Sequence, residues 1–307
     1  MKPLNTLALL VAVSLNGCND SGSQGHTTPL PVTVSIEPQR QLLSAIGGNR
    51  VEVTSLLANG TDPETYDPTL ASLMSLENSL AWFQIGNIPF EQQLSNRIGP
   101  QLTRFDTSTG IDLIEGTHGH DHADHHHDHD GHHDHSHDGI DPHTWSSVRN
   151  MKIIGANMLA GLIEIDPAGK DYYTARFDSV GARLDSLDAC YTRRLAPARG
   201  STFMVWHPSL SYFARDYGLR QISVAADHRE TSLISLQSTI DDAIANGVEV
   251  FFEQSSYDPR LSATVRQHIG AVCSSFNPLD YDWEQSLDNV VSTIAAHGRT
   301  ISVPSHH

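Results

Sequence analysis

Residues 166–195 form one amphipathic stretch in which Tyr173, Phe177, Val180, Leu184 and Leu187 recur at spacings of three and four, opened by Asp166-Pro167 and closed before Pro197. That spacing puts the apolar groups on one face of a helix, and Asp-Pro is a favourable N-cap and first-turn pair. Such a helix is on the order of 40 Å long at 1.5 Å per residue. It suits either a strut between two lobes or one crossover helix of a single large domain. On both sides of it, short β-rich runs alternate with helical stretches. Before it, residues 32–36, 51–57 and 81–85 read as strands and residues 39–46 and 70–79 as helices; after it, residues 201–206, 221–225, 248–252 and 271–276 read as strands. This alternation predicts an α/β fold of two parallel-sheet lobes joined by one long rigid helix. The chain, at 307 residues, is also longer than a usual single domain.

A second feature bears on chemistry. From His118 to His137 histidine and aspartate alternate almost without interruption, followed by Asp141-Pro142-His143-Thr144-Trp145. Imidazole is the commonest protein ligand for zinc and other borderline divalent metals, so a dense set of them marks a protein that handles metal ions. A run this polar cannot bury a core and is expected to be a mobile loop, residues 116–138, that binds metal loosely. The tight site must lie elsewhere.

The N-terminus carries Lys2, an apolar stretch over residues 7–13 and then Leu15-Asn16-Gly17-Cys18. Positive charge, a short apolar core and a small residue before the break read as an export signal over residues 1–17, too short to span a bilayer permanently. With Cys directly after Leu-x-Gly, the pattern resembles the bacterial lipoprotein signal, which implies that Cys18 is lipidated and that residues 18–29 form a flexible tether. Loss of Lys2 with the signal takes the formal net charge from −17 to about −18, which argues against nucleic acid as a partner. No other run approaches 18 apolar residues. Cys190 and Cys273 remain; they lack the paired spacing of a thiolate zinc site, and a disulfide between them is left open.

In open parallel sheets ligands bind beyond the carboxyl ends of strands. Four segments offer candidate ligands there: Glu64 within residues 60–68, His143 within Asp-Pro-His-Thr-Trp, His207-Pro208, and Asn277-Pro278-Leu279-Asp280. With these segments in view, the chain resembles the metal-binding lipoproteins of bacterial ABC importers that take up zinc or manganese (cluster A-I), most closely the zinc branch with a His-rich loop. The resemblance rests on Gly-x-x-Pro-x-x-Tyr-x-Pro around Glu64 and Asp-Pro-His-x-Trp around His143. It rests also on His-x-x-x-x-Tyr-Phe-x-x-x-Tyr-Gly-Leu from His207 to Leu219, and on Phe251-Phe252-Glu253-Gln254 followed by Asp258-Pro259-Arg260. These cover nearly all of the mature chain in the family's order.

The resemblance implies one metal held between the lobes, with His143 and His207 as imidazole ligands. Glu64 stands where the zinc branch usually has His, and a carboxylate there still ligates zinc but hardens the site. Asn277 replaces the family's Asp, so Asp280 or a water is expected at the fourth position. Glu253 is expected to orient an imidazole, and His228, His268 and His297 to lie at the surface. The expected divisions are an N-terminal lobe over residues 30–163, a linking helix over 164–197 and a C-terminal lobe over 198–307. The implied protein is a monomeric periplasmic or cell-surface receptor, lipid-anchored, that passes Zn2+ (Mn2+ as the competitor) to the permease of an ABC importer in the inner membrane. It is not an enzyme. A zinc hydrolase finds no His-Glu-x-x-His helix here, and a buffer using only the His-rich loop would leave two lobes without a use.

Overall fold

The computed structural model describes residues 28–57, 61, 63–116, 139–225, 233–254 and 259–298. Cys18, His228 and the His-rich residues 117–138 lie outside these. The first lobe holds strands β1 (Leu30–Val34), β2 (Val51–Ser55), β3 (Ala81–Gln84) and β4 (Thr103–Asp106), all parallel in the order β2-β1-β3-β4. Helices α1 (Glu37–Gly47), α2 (Leu70–Glu77) and α3 (Pro89–Arg97) make the crossovers. Helices α4 (Val148–Ile165) and α5 (Lys170–Leu195) follow. The second lobe repeats the plan with β5 (Thr202–Val205), α6 (Ser211–Tyr217), β6 (Arg220–Ser223), α7 (Leu233–Ala245), β7 (Val250–Glu253), α8 (Pro259–Ile269) and β8 (Val272–Ser275), in the order β6-β5-β7-β8. A last helix, α9 (Trp283–His297), returns onto α5.

Parallel sheets covered on both faces need strands that are apolar throughout. The inner strands obey: Val32 and Val34 in β1, Ala81, Trp82 and Phe83 in β3, all of β5, and Val250, Phe251 and Phe252 in β7 are buried. Edge strands β4 and β8 contain no buried residue, although their backbones still pair with β3 and β7.

The long helix differs from its expected form in one respect. Asp166 does not cap it; its backbone N–H closes the end of α4 on Leu162, and Pro167–Gly169 form a 3-10 turn before α5 begins at Lys170. The Asp166 carboxylate is committed elsewhere, at 2.7 Å from both Arg50 and the Tyr173 hydroxyl. Helices α4 and α5 therefore pack as an antiparallel hairpin, tied along its rim by Arg149–Asp188 and Lys152–Asp185. From α5, Arg176 donates to the Ala45 carbonyl in the first lobe at 2.9 Å, while Arg194 pairs with Asp288 in the second. One hydrophobic core runs through both lobes along this helix, containing Leu42, Ile154, Leu184, Phe203 and Val290. A smaller cluster, with Met204, Ile240, Phe251 and Val265, lies under α7 and α8. Cys190 packs against the first cluster and Cys273 against the second, and both are free thiols.

At the point in the first sheet where the chain reverses its direction of winding, between β1 and β3, the structure buries a carboxylate. Glu91 accepts from Ile85 N and Gly86 N at 2.7 Å each and from the Ser35 hydroxyl. Burial pushes this carboxyl up to about 7, against the lowering effect of those three bonds.

Two predictions follow from this packing. A Cβ placed on Gly161 of α4 would lie 2.6 Å from the Phe83 ring and 2.9 Å from that of Phe105. Gly161→Ala gains about 1 kcal/mol of helix propensity but overpacks two aromatic rings at a cost of about 1–3 kcal/mol, so a net loss of stability is expected in urea unfolding. For Glu91, the folded pKa lies above that of the unfolded chain. From about 4.5 to about 7 the unfolded state sheds this proton first, and the group's contribution to stability falls as pH rises. Relative to the parent, Glu91→Gln should gain on the order of 3 kcal/mol across that window in urea unfolding at stepped pH; a pH-independent difference between the two would refute it.

Candidate metal centre

Each candidate ligand is presented from a different element. Glu64 sits in the turn that follows β2, held in the first lobe by Tyr66, whose ring packs edge-on against Phe90 with centroids 5.2 Å apart and whose hydroxyl lies 2.5 Å from Ser72 Oγ. His143 follows the antiparallel bridge Glu115–Ile140 and precedes a 3-10 turn at Thr144–Ser146. His207 lies just past β5, beside the end of β7: its backbone N–H donates to Gln254 Oε1 at 2.9 Å, and Gln254 Nε2 donates to Ser209 Oγ at 3.1 Å. This is the winding-reversal point of the second sheet, where parallel sheets commonly bind their ligands.

The three side chains converge. One ligand atom from each of Glu64, His143 and His207 lies within 4.8 Å of the others. Glu64 Oε1 is 3.3 Å from His207 Nε2 and 3.8 Å from His143 Nε2, and the two imidazole centroids are 4.9 Å apart. Ligands about 2 Å from a tetrahedral zinc ion stand about 3.3 Å from one another, so the two Glu64 spacings are within a few tenths of an ångström of that edge, while the imidazole pair is held only within 4.8 Å and closes further on a bound ion. The imidazoles are almost completely covered, with side-chain exposures of 2% for His143 and 6% for His207, against 21% for Glu64. All three line a cleft of about 420 Å³ between the lobes, together with Asn87, Asp141 and Arg215.

Asp141 sets the chemistry of His143. Its Oδ1 lies 2.9 Å from both the backbone N and the ring Nδ1 of His143. A carboxylate only accepts, so Nδ1 carries the proton and Nε2 presents its lone pair toward Glu64 and His207. Burial by itself raises this carboxyl, but the hydrogen bond and charge interaction with the His143 ring, together with the bond from the His143 backbone, outweigh it and hold Asp141 below its ordinary value. The group therefore stays ionised through the neutral range.

Residues 32–297 match the family model described as "Zinc-uptake complex component A periplasmic". The chain belongs to this family. It is 26% identical over 279 residues to the high-affinity zinc uptake system protein ZnuA of Bacillus subtilis (strain 168), covering 89% of this chain and 85% of that protein. A crystal structure of ZnuA superposes with a TM-score of 0.77 at 30% identity, over 88% of this chain and 99% of the other. A ZnuA deletion mutant solved with zinc bound gives the same TM-score and identity, over 89% and 99%. The family is periplasmic and works in zinc uptake; the two lobes, the long helix and the cleft between them are its fold.

Among the four expected ligands, the structure brings Glu64, His143 and His207 together, and the three-residue group does not include Asp280. The Asp280 carboxylate accepts from the Asp282 backbone at 3.1 Å, while Asn277 Oδ1 accepts from Leu279 N at 3.0 Å. The segment is nevertheless adjacent, since Trp145, its ring 5.0 Å from that of His143, donates to the Pro278 carbonyl at 2.8 Å. Glu253, expected to orient an imidazole, instead pairs with Arg266 at 3.0 Å on the far side of the strand. Its neighbour Gln254 reaches the His207 segment, because successive side chains of a strand point to opposite faces. His268 and His297 are exposed. The residues that sequence reasoning missed are Asp141 and Gln254; the signal was present for Asp141, whose position two residues before His143 suits a turn that folds a carboxylate back onto the ring.

Asp141→Asn keeps the shape but replaces the ionised acceptor facing His143 Nδ1. A fall in zinc affinity of about 10–100-fold is expected, measured by competition calorimetry, with the fold retained by circular dichroism.

Proposed function

We propose that this chain is the extracytoplasmic receptor of a zinc importer, capturing Zn2+ with Glu64 Oε1, His143 Nε2 and His207 Nε2 and delivering it to an ABC-type permease. The observation that carries this reading is the convergence of those atoms within 4.8 Å in the interlobe cleft. Two neutral imidazoles and one carboxylate match the donor preference of zinc, and their burial excludes competing water. Asp280 or a water completes the coordination; the Asp280 carboxylate must leave the Asp282 N–H to do so. The protein is a receptor and not an enzyme, a monomer anchored through lipid on Cys18, with the lobe boundaries at residues 30–163, 164–197 and 198–307. In none of the described residues is there a helix long and apolar enough to cross a membrane.

A manganese receptor is the second reading, and Glu64 favours it. A carboxylate in place of a third imidazole hardens the donor set toward manganese or iron.

The deciding experiment is competition calorimetry with zinc and manganese on residues 29–307, on the same protein lacking residues 117–138, and on His207→Ala. The bridge Glu115–Ile140 and the bond from Asp141 N to Ile114 O at 2.9 Å close the stem below the excised segment. One tight zinc site should survive the deletion. In His207→Ala it should weaken by at least about 100-fold, because a structural zinc site is worth about 10–16 kcal/mol over its ligands and each factor of ten is 1.4 kcal/mol. Loss of all tight binding with the loop would instead mean a buffer, and preference for manganese in the deleted protein would support the second reading.

A further inference from the structure

The two imidazoles come from different lobes, yet a short chain of bonds joins the segments that carry them. Helix α6 starts four residues beyond His207, and its second residue, Tyr212, reaches across to the His143 segment. Tyr212 is fully buried; its hydroxyl donates to the Asp141 carbonyl at 2.7 Å and accepts from Ile114 N at 3.2 Å. Those two groups belong to opposite strands of the stem closed by the Glu115–Ile140 bridge, so one hydroxyl holds both. Burial pushes the Tyr212 phenol up to about 12, which keeps it protonated and able to donate. Asp141 is the residue whose carboxylate orients the His143 ring.

We propose that Tyr212 is a positioning residue of the metal centre, fixing the Asp141–His143 unit at its separation from His207 across the lobe boundary. This rests on the assignment of Glu64, His143 and His207 as zinc ligands. Tyr212 does not touch the metal. It holds the donor spacing by gripping, from the His207 side, the backbone of the residue that aims His143. Removing the Tyr212 hydroxyl would also leave a buried N–H and C=O without that partner, and the stem would then settle in a new position relative to α6.

The test compares Tyr212→Phe with Tyr217→Phe in the mature protein. The Tyr217 hydroxyl lies on the same helix but bonds Asp188 Oδ1 on α5 at 3.0 Å, away from the metal centre, so it controls for loss of a largely buried hydroxyl. Zinc affinity is read by competition calorimetry and coordination geometry by the visible absorption of the cobalt(II)-loaded protein. Tyr212→Phe is expected to weaken zinc by about 10-fold and to alter the cobalt bands, whereas Tyr217→Phe loses comparable stability and keeps parent affinity and spectrum. Parent-like affinity and cobalt spectrum in Tyr212→Phe overturn the proposal. If Tyr212→Phe fails to fold, 4-aminophenylalanine at position 212, which still donates to the Asp141 carbonyl but accepts poorly from Ile114 N, takes its place under the same criterion. His207→Ala, run alongside, separates the two readings: if it binds zinc as the parent does, the ligand assignment itself has failed and the positioning role falls with it.

Discussion

Holding two imidazoles and a carboxylate within 4.8 Å in the interlobe cleft is the constraint that the rest of this molecule serves. Buried polar groups are costly to desolvate, and separate lobes have no inherent reason to present them at one point. The lobes are therefore not docked loosely. They share a core along α5, and each fully buried aliphatic or aromatic side chain in it contributes about 1.5–3 kcal/mol. Hydrogen bonds across the boundary, such as Trp145 to Pro278, Tyr212 to Asp141 and Trp283 Nε1 to Gln41 Oε1 at 2.7 Å, contribute about 1 kcal/mol each. Apolar burial thus supplies the affinity of the lobes for each other. The directional bonds supply the register, and register is what a donor set needs.

The chemistry of the cleft follows from which atoms that register exposes. Asp141 ties up Nδ1 of His143 and leaves Nε2 as the donor, so the ring is committed to one tautomer before metal arrives. Glu64 differs from the histidines in being partly exposed, in a turn anchored to the first lobe through Tyr66 and its neighbours Phe90 and Ser72. Two candidate donors are buried imidazoles, one from each lobe; the third is the carboxylate at the rim. On the proposed assignment, an entering cation meets the carboxylate first, where attraction is longest in range, and the imidazoles after desolvation.

How much of this was legible beforehand depends on what each element buries. The inner strands announced themselves as short runs rich in β-branched and aromatic residues, the buried Thr33 of β1 included, and His143 and His207 stood out because each follows a predicted strand or precedes a Pro or Trp. Edge strand β4, Thr-Arg-Phe-Asp, escaped notice since three of its four residues are polar or charged and its place is decided by pairing with β3. Helix α4 escaped too, and with it the meaning of Asp166, which reads as an N-cap but ends one helix before the next begins. The fourth ligand was illegible for a different reason. Asp280 and Asn277 both spend their side chains on backbone N–H groups within their own turn, a use that short polar residues have in any loop and that leaves no mark distinguishing it from ligation.

The two lobes repeat one plan, yet they treat their equivalent points of winding reversal in opposite ways. Between β5 and β7 that point is left for the metal centre: Gln254 and Ser209 organise the backbone around His207, and the imidazole projects into the cleft. Between β1 and β3 the same point is filled by the protein's own carboxyl group, with Glu91 taking the backbone N–H groups of Ile85 and Gly86. A carboxylate bound there satisfies donors that would otherwise attract a ligand, and it fixes the loop whose Asn87 and Pro89 form a wall of the cleft. The first lobe consequently contributes its donors from elsewhere, Glu64 from beyond β2 and His143 from beyond the stem, both flanking the reversal point instead of occupying it. One duplicated sheet topology thereby yields a single asymmetric site on the boundary, because one of its two natural ligand positions is already taken from within.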